Sequence, residues 1–233
     1  MTNETKIVKA IKLTKIFPHP SKEETNIPIF AGTTFEITSK KPNFLIGPSG
    51  SGKTTLLRIL MSIESINAGE IYFNELPIYR LKGKEQNEYL RSIGYLDQFP
   101  AKYLTMHFSV KKNLQFTLNL HNDFAKEELK RKITEISTNV GLDKHLDKKT
   151  IYLSGGELRR LSIACSVIYE PSILFLDEPT AQLDDMSKAK IMEIIAELHE
   201  KYNLLLLIAT HDYSIITKNP TYEISNGSIV KCQ

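Results

Sequence analysis

The most restrictive stretch of this sequence is Gly47-Pro48-Ser49-Gly50-Ser51-Gly52-Lys53-Thr54-Thr55. Its glycines, lysine and hydroxyl residue stand at the spacing of a phosphate-binding loop. The flanks agree. Phe44-Leu45-Ile46 before it reads as a buried strand, and Leu56, Leu57, Ile59 and Leu60 after it read as one face of a helix. A strand, a glycine-rich turn and a helix N-terminus present backbone N–H groups and the positive end of a helix dipole to a polyphosphate. Lys53 would add a mobile charge for the β- and γ-phosphates, and the Thr54 hydroxyl would bind Mg²⁺.

The rest of the pattern tells what kind of sheet carries this loop. Ile7 to Leu13 alternates apolar and polar residues, which predicts a strand without fixing its buried face. Ile29 to Ile37, Glu70 to Phe73 and Ile93 to Leu96 predict further strands, with a polar helix over Lys82 to Arg91. Ile173-Leu174-Phe175-Leu176 and Leu204 to Ala209 are uninterrupted apolar runs, as expected of strands covered on both faces. Ile191, Ile194, Ile195, Leu198 and Tyr202 form a helical stripe, and two short strands flank Asn226-Gly227. Strands alternating with helices predict an α/β fold with a mostly parallel sheet. Between Phe99 and Lys149 the character turns all-helical. Ser109 is expected to cap one helix, with Val110, Leu114 and Leu118 inward. Asp123 is expected to cap a second, with Leu129, Ile133, Ile136 and Val140 on one face and Gly141 at its end.

Bulk properties exclude several classes. With 233 residues, 41% hydrophobic and 24% charged, the chain can bury a full core of ordinary globular kind. A net charge of +3 is too mild to argue for nucleic acid. Cys165 and Cys232 lie too far apart in sequence to suggest a disulfide framework or metal-ligand spacing, which fits a reducing compartment. The first six residues lack the apolar stretch of a signal peptide. The longest strongly apolar run, Leu204 to Ala209, is far short of the roughly 20 residues that span a bilayer. A membrane role would therefore come through a partner.

Asp177 and Glu178 end a buried strand, and open α/β sheets place their ligands at that carboxyl edge. Asp177 suits the Mg²⁺ shell, and Glu178 suits the polarising of a water for in-line attack. Further signals follow in fixed order: Gln98, Leu153-Ser154-Gly155-Gly156-Glu157, Pro179-Thr180, Ala181 to Asp184, and His211. Together with Gly47 to Thr55 they resemble the ATP-binding-cassette ATPases over nearly the whole chain. The most specific element is Leu-Ser-Gly-Gly-Glu, about twenty residues before the aspartate–glutamate pair.

The resemblance implies a P-loop NTPase core with a mostly parallel sheet, an antiparallel β subdomain and a helical insert. The core would cover about 1–98 and 154–233, and the helical subdomain about 99–153. ATP is implied as substrate, with Mg²⁺ held by Thr54, Gln98 and Asp177. Phe17 would stack on adenine, Glu178 would be the general base, and His211 would hold the γ-phosphate. Gln98 would touch the metal and the attacking water. Ser154 and Gly156, with Gly155 and Glu157 beside them, would contact ATP bound to the opposite subunit. Asp184 would align that dimer interface.

Several positions depart from the family pattern: Asp97 before Gln98, Leu158 and Arg159 after the signature, Cys165, and Ala181-Gln182. None removes a group needed for hydrolysis. The resemblance therefore implies the ATPase subunit of a membrane transporter, as a homodimer or paired with a second cassette. It would be cytoplasmic, peripheral on the inner membrane face, and docked on an integral permease near Gln98 and the helical subdomain. Lys82 to Gln98 resembles the lipoprotein-release and macrolide-export type, with an amino-acid-type importer as the alternative. Soluble cassette ATPases of DNA repair or translation carry coiled-coil inserts or a second cassette, and neither is seen here. A docking groove is expected where Phe99, Tyr103, Leu104, Met106 and Phe108 crowd beside Gln98.

Overall fold

A computed structural model describes residues 4–18, 26–121, 124–216 and 219–232, which form two compact units. The first comprises residues up to Ile93 together with those from Leu205 onward, and the second comprises Gly94–Leu204. The expected cap at Asp123 lies outside the described residues.

The first unit holds an antiparallel sheet in the order β2-β1-β4-β5, from β1 (Ile7–Pro18), β2 (Asn26–Thr38), β4 (Ala68–Phe73) and β5 (Leu76–Pro77). The ambiguity of the first strand has a structural cause. Val8 and Ala10 face the core, the register shifts between Ala10 and Leu13, and Leu13 then faces inward. One extra residue in a bulge reverses which side chains point in, so a single alternation cannot describe the strand.

The same unit carries β3 (Asn43–Ile46) between β8 (Leu205–Thr210) and β9 (Thr221–Ser225), parallel to both. The terminal β10 (Ser228–Lys231) adds an antiparallel edge to β9. Every residue of β3 and β8 is buried, as their apolar runs predict. Helix α1 (Lys53–Leu60) follows β3 through the glycine-rich loop. Its last carbonyls are not left unmet. Tyr79 donates its hydroxyl to Ile59 O at 2.8 Å, and Tyr89, on α2 (Gly83–Arg91), donates to Leu60 O at 2.5 Å. Those bonds satisfy acceptors that have no partner inside the helix.

From Gly94 onward, β6 (Ile93–Leu96) belongs to the second unit, where it neighbours β7 (Ile173–Asp177), whose five residues are all buried. Gly94 is required at this spot, since a Cβ there would meet Ser166 O at 2.2 Å. Among the described residues, the α-helices of this unit are α3 (Val110–His121), α4 (Lys126–Asn139), α5 (Gly155–Val167) and α6 (Asp185–Tyr202). Ser109 caps α3 as expected, accepting the Lys112 N–H at 3.2 Å. Helix α4 begins after Ala125 and ends at Val140 and Gly141, the latter with φ +65°. Desolvation pushes the half-buried Cys165 thiol on α5 up to about 12 despite its bond to Thr117, which disfavours the thiolate form.

Candidate nucleotide site

The first unit supplies the phosphate loop. Gly52 has φ +105°, and a Cβ there would stand 2.6 Å from Ile29 Cγ2, so glycine is needed for both backbone and space. Lys53 is buried and folds back on the loop, donating to Gly47 O at 2.7 Å and Pro48 O at 3.2 Å. The first turn of α1 holds no acidic residue, which leaves its dipole open to an anion. Ser51 Oγ is buried within the loop and has no hydrogen-bond partner, which fits a site whose acceptor is a phosphate oxygen. Thr54 and Thr55 are half-buried on the first turn, while Pro48, Ser49 and Gly50 are exposed.

His211 belongs to the same edge. Ile46 pairs with Thr210 in the parallel β3–β8 ladder, so Gly47 and His211 leave adjacent strands side by side. Asp212 shapes the turn after His211: its N–H binds Thr210 Oγ1 at 3.0 Å and its carboxylate accepts the Ser214 N–H at 3.0 Å. Phe17 is half-buried near the end of β1, opposite Ile27, with Lys15 Nζ 4.4 Å from its ring centre.

The second unit supplies the carboxylates and the signature segment. Asp177 ends β7 and Glu178 follows it, and both are buried. Glu178 has φ +49°, a left-handed conformation that costs a residue with a Cβ about 1–2 kcal/mol. Strain of this kind persists where surrounding bonds hold it, and often where function requires it. Here the Ala181 N–H donates back to Glu178 O at 3.1 Å.

Ser154 and Glu157 form a reciprocal capping box at the start of α5. Glu157 N donates to Ser154 Oγ at 3.2 Å, and Ser154 N donates to Glu157 Oε2 at 2.8 Å. Partial burial opposes the Glu157 charge. The Ser154 N–H, Lys148 Nζ at 3.1 Å and His145 nearby outweigh it and hold the carboxyl below its ordinary value. Ser154 Oγ accepts in this box, so its own O–H stays available as a donor. Asp184 caps α6, its carboxylate accepting the Ser187 N–H at 3.0 Å and the Ser187 hydroxyl at 2.7 Å. Those Ser187 bonds lower the Asp184 pKa. The two capped termini open on one cleft of about 490 Å³, lined by Ser154, Gly155, Gly156, Arg160, Asp184 and Lys190 among others.

Sequence reasoning noted Arg159 as a departure and missed what it does. It lies buried on α5, with three donations to main-chain carbonyls: Asp97 O at 3.3 Å, Gln98 O at 3.2 Å and Ala181 O at 3.3 Å. Asp97 is also accounted for. It turns the chain by accepting the Phe99 N–H at 2.8 Å, and the Tyr103 hydroxyl lies 3.4 Å from its other oxygen. Gln98 itself is exposed. A signal for Arg159 did exist, because it stands four residues before Ile163 and eight before Val167, on the face that α5 buries.

A family model described as "ABC transporter" matches residues 30–181, well over half of the chain. The chain belongs to the ABC transporter family. This ABC ATPase is 34% identical over 230 residues to the lipoprotein-releasing system ATP-binding protein LolD of Buchnera aphidicola (subsp. Schizaphis graminum), covering 97% of each chain. It is also 34% identical over 187 residues to the cell division ATP-binding protein FtsE of Escherichia coli K12, covering 80% of this chain and 82% of that one. The dimeric structure of a post-hydrolysis state of the ATP-binding cassette MJ0796, bound to ADP and Pi, matches it with a TM-score of 0.82 at 25% identity. That match covers 95% of this chain and 96% of the other. The α/β fold with its mostly parallel and antiparallel sheets is thus that of a cassette ATPase, and ATP hydrolysis is the activity of this chain.

Proposed function

We propose that this ABC ATPase works as a dimer that closes on two ATP molecules, hydrolyses them and reopens, driving a permease of the lipoprotein-releasing kind. The observation that carries the dimer is the cleft shared by Ser154, Gly156 and Asp184, an open surface at two helix N-termini in the second unit. Helix termini of this sort attract phosphate. The dimeric state of the structurally similar cassette supports the same reading.

In each composite site, the 47–55 loop with Lys53 would hold the β- and γ-phosphates, and Phe17 would lie against adenine. Ser154 and Gly156 of the second copy, with Gly155 and Glu157 shaping the turn, would close on the γ-phosphate. Glu178 would take the proton of the attacking water, Gln98 would orient that water, and His211 would hold the γ-phosphate oxygen. The hydroxyl of Thr54, the amide oxygen of Gln98 and the carboxylate of Asp177 are hard oxygen donors. That set, with phosphate oxygens and water, suits Mg²⁺. When bound, the ion would supply Lewis-acid stabilisation of the negative charge that develops on the transferred phosphoryl group.

The parts divide by role into a core of about 1–98 and 154–233 and a helical subdomain of about 99–153. Partner docking falls to the latter. Leu104 is buried and Met106 and Phe108 are half-buried, whereas Phe99, Tyr103, Phe116, Leu120 and Tyr152 are exposed. Large apolar side chains left exposed on one subdomain suit a partner surface. No helix among the described residues is long and apolar enough to cross a membrane, so attachment would be through that partner. The equal identity to a cell-division ATP-binding protein makes that system the second reading for cargo. Co-purified membrane protein distinguishes them by its identity.

The test mixes two inactive variants, Lys53→Ala and Ser154→Arg. One of the two sites in the mixed dimer keeps both residues intact, so turnover should return on mixing. If the mixture stays inactive while each variant remains folded and Ser154→Arg still binds ATP, the composite site is wrong.

A further inference from the structure

Arg159 has no part in the scheme above, yet it is a buried cation, and a buried cation persists only where it is well bonded. Each of its three carbonyl acceptors lies in a loop that carries a proposed catalytic side chain. Asp97 O and Gln98 O belong to the loop after β6, and Ala181 O belongs to the turn after β7. From the geometry of these bonds, we infer that Arg159 is a positioning residue for hydrolysis. Its guanidinium fastens the Gln98 loop to the turn that bears Glu178, so that the two side chains move as one piece. This inference rests on the roles proposed for Gln98 and Glu178.

The connection is short and continuous. Arg159 holds the carbonyl of Ala181, and the N–H of the same residue holds the carbonyl of Glu178 at 3.1 Å. Glu178 sits in a left-handed conformation that it would leave if that turn relaxed. On the other side, Asp97 pins the Phe99 N–H at 2.8 Å, so the carbonyls of Asp97 and Gln98 are held from both ends. A guanidinium presents its donors in a rigid planar fork and can serve acceptors on two loops together, while the single ammonium of lysine on a flexible stem cannot hold the same spacing. A shift of the Gln98 loop would therefore be felt at Glu178 directly.

Two variants and two readouts test this. Arg159→Met removes all three donations with little change in volume, and Arg159→Lys keeps the charge without the fork. Hydrogen exchange, measured on the protein without nucleotide, should accelerate about tenfold or more at the Ala181 and Phe99 amides of Arg159→Met. Exchange along α6 should stay as in the wild type. The turnover number should fall roughly 10–100-fold, the scale of a small misplacement of reacting groups, with KM for ATP within about twofold. Arg159→Lys should lie between the two. Wild-type exchange and turnover in Arg159→Lys would overturn the inference, which keeps the test decisive even if Arg159→Met fails to fold. It is equally overturned if lost turnover returns on cooling in step with the folded fraction. Glu178→Gln, assayed beside them, separates the two levels. If it turns over normally, the catalytic reading fails; if it is inert while Arg159→Lys is fully normal, only the role of Arg159 fails.

Discussion

Ser154 is placed in two roles, helix cap and phosphate donor, and a pair of substitutions can separate them. In Ser154→Ala the bond from Glu157 N to Ser154 Oγ is lost, while the return bond from the residue 154 N–H to Glu157 survives. Loss of an N-cap of this kind costs about 1 kcal/mol. For a chain of this size that lowers Tm by about 2–4 °C. Aspartate caps as well as serine does, so Ser154→Asp should keep Tm within about 2 °C of the wild type. Its added charge meets Lys148 and His145, which lie 3.1 Å and 3.3 Å from the neighbouring Glu157 carboxylate. Turnover should order the two variants the other way. Both lose the hydroxyl donor, and a hydrogen bond to a charged group is worth about 1.5–3 kcal/mol, or roughly 10–150-fold. Ser154→Asp also sets an anion against the γ-phosphate, so it should lose at least about 100-fold. Phosphate release and scanning calorimetry on the same samples decide the matter. Wild-type turnover in Ser154→Asp, or activity that follows Tm across the pair, would refute the phosphate role.

Glu178→Gln should bind ATP but turn over at least about 100-fold more slowly, and it should accumulate as an ATP-bound dimer on size-exclusion chromatography. Normal turnover would remove Glu178 as the base. Gly52→Ala should weaken nucleotide binding by about tenfold or more, from the strain of a side chain at φ +105° and its contact with Ile29. Unchanged affinity in a nucleotide titration would contradict the geometry of the loop. The Asp184 pKa lies below its ordinary value in the folded protein because of its Ser187 bonds, so folding favours the charged form. Its contribution is therefore fully present above the unfolded value near 4 and is lost as pH falls through the lower folded value. Asp184→Asn, which keeps a capping side chain, should flatten this acid limb in urea midpoints measured against pH. Parallel curves for the two proteins would contradict the assignment.

The parts of this protein most legible in its sequence are those where one residue type has one physical use. A run such as Gly47 to Thr55 serves little besides phosphate binding, and unbroken apolar runs such as Ile173 to Leu176 must be covered on both faces. Ser109 and Gly141 were readable as helix ends because caps depend on local backbone chemistry. Long-range pairing was not readable. The bulge in β1 depends on its two partner strands, and no local pattern shows which side of Ile7 to Leu13 turns inward. Arg159 and Asp97 stood out only as unusual residues, because their partners are main-chain carbonyls and amides that carry no sequence signal. The stretch after Gln98 was legible as an apolar cluster, but not which of its side chains stay exposed. Burial of Leu104 beside exposed Tyr103 is set by packing in three dimensions.

The central claim is that ATP is hydrolysed by two copies acting together, and the specific activity of the purified protein against its own concentration tests that most directly. At saturating ATP, the account predicts that turnover per chain rises with protein concentration and levels off once dimers predominate. Lys53→Ala should stay inactive throughout. Turnover per chain that is constant down to the lowest measurable concentration, with no dimer seen in the presence of ATP, would contradict it.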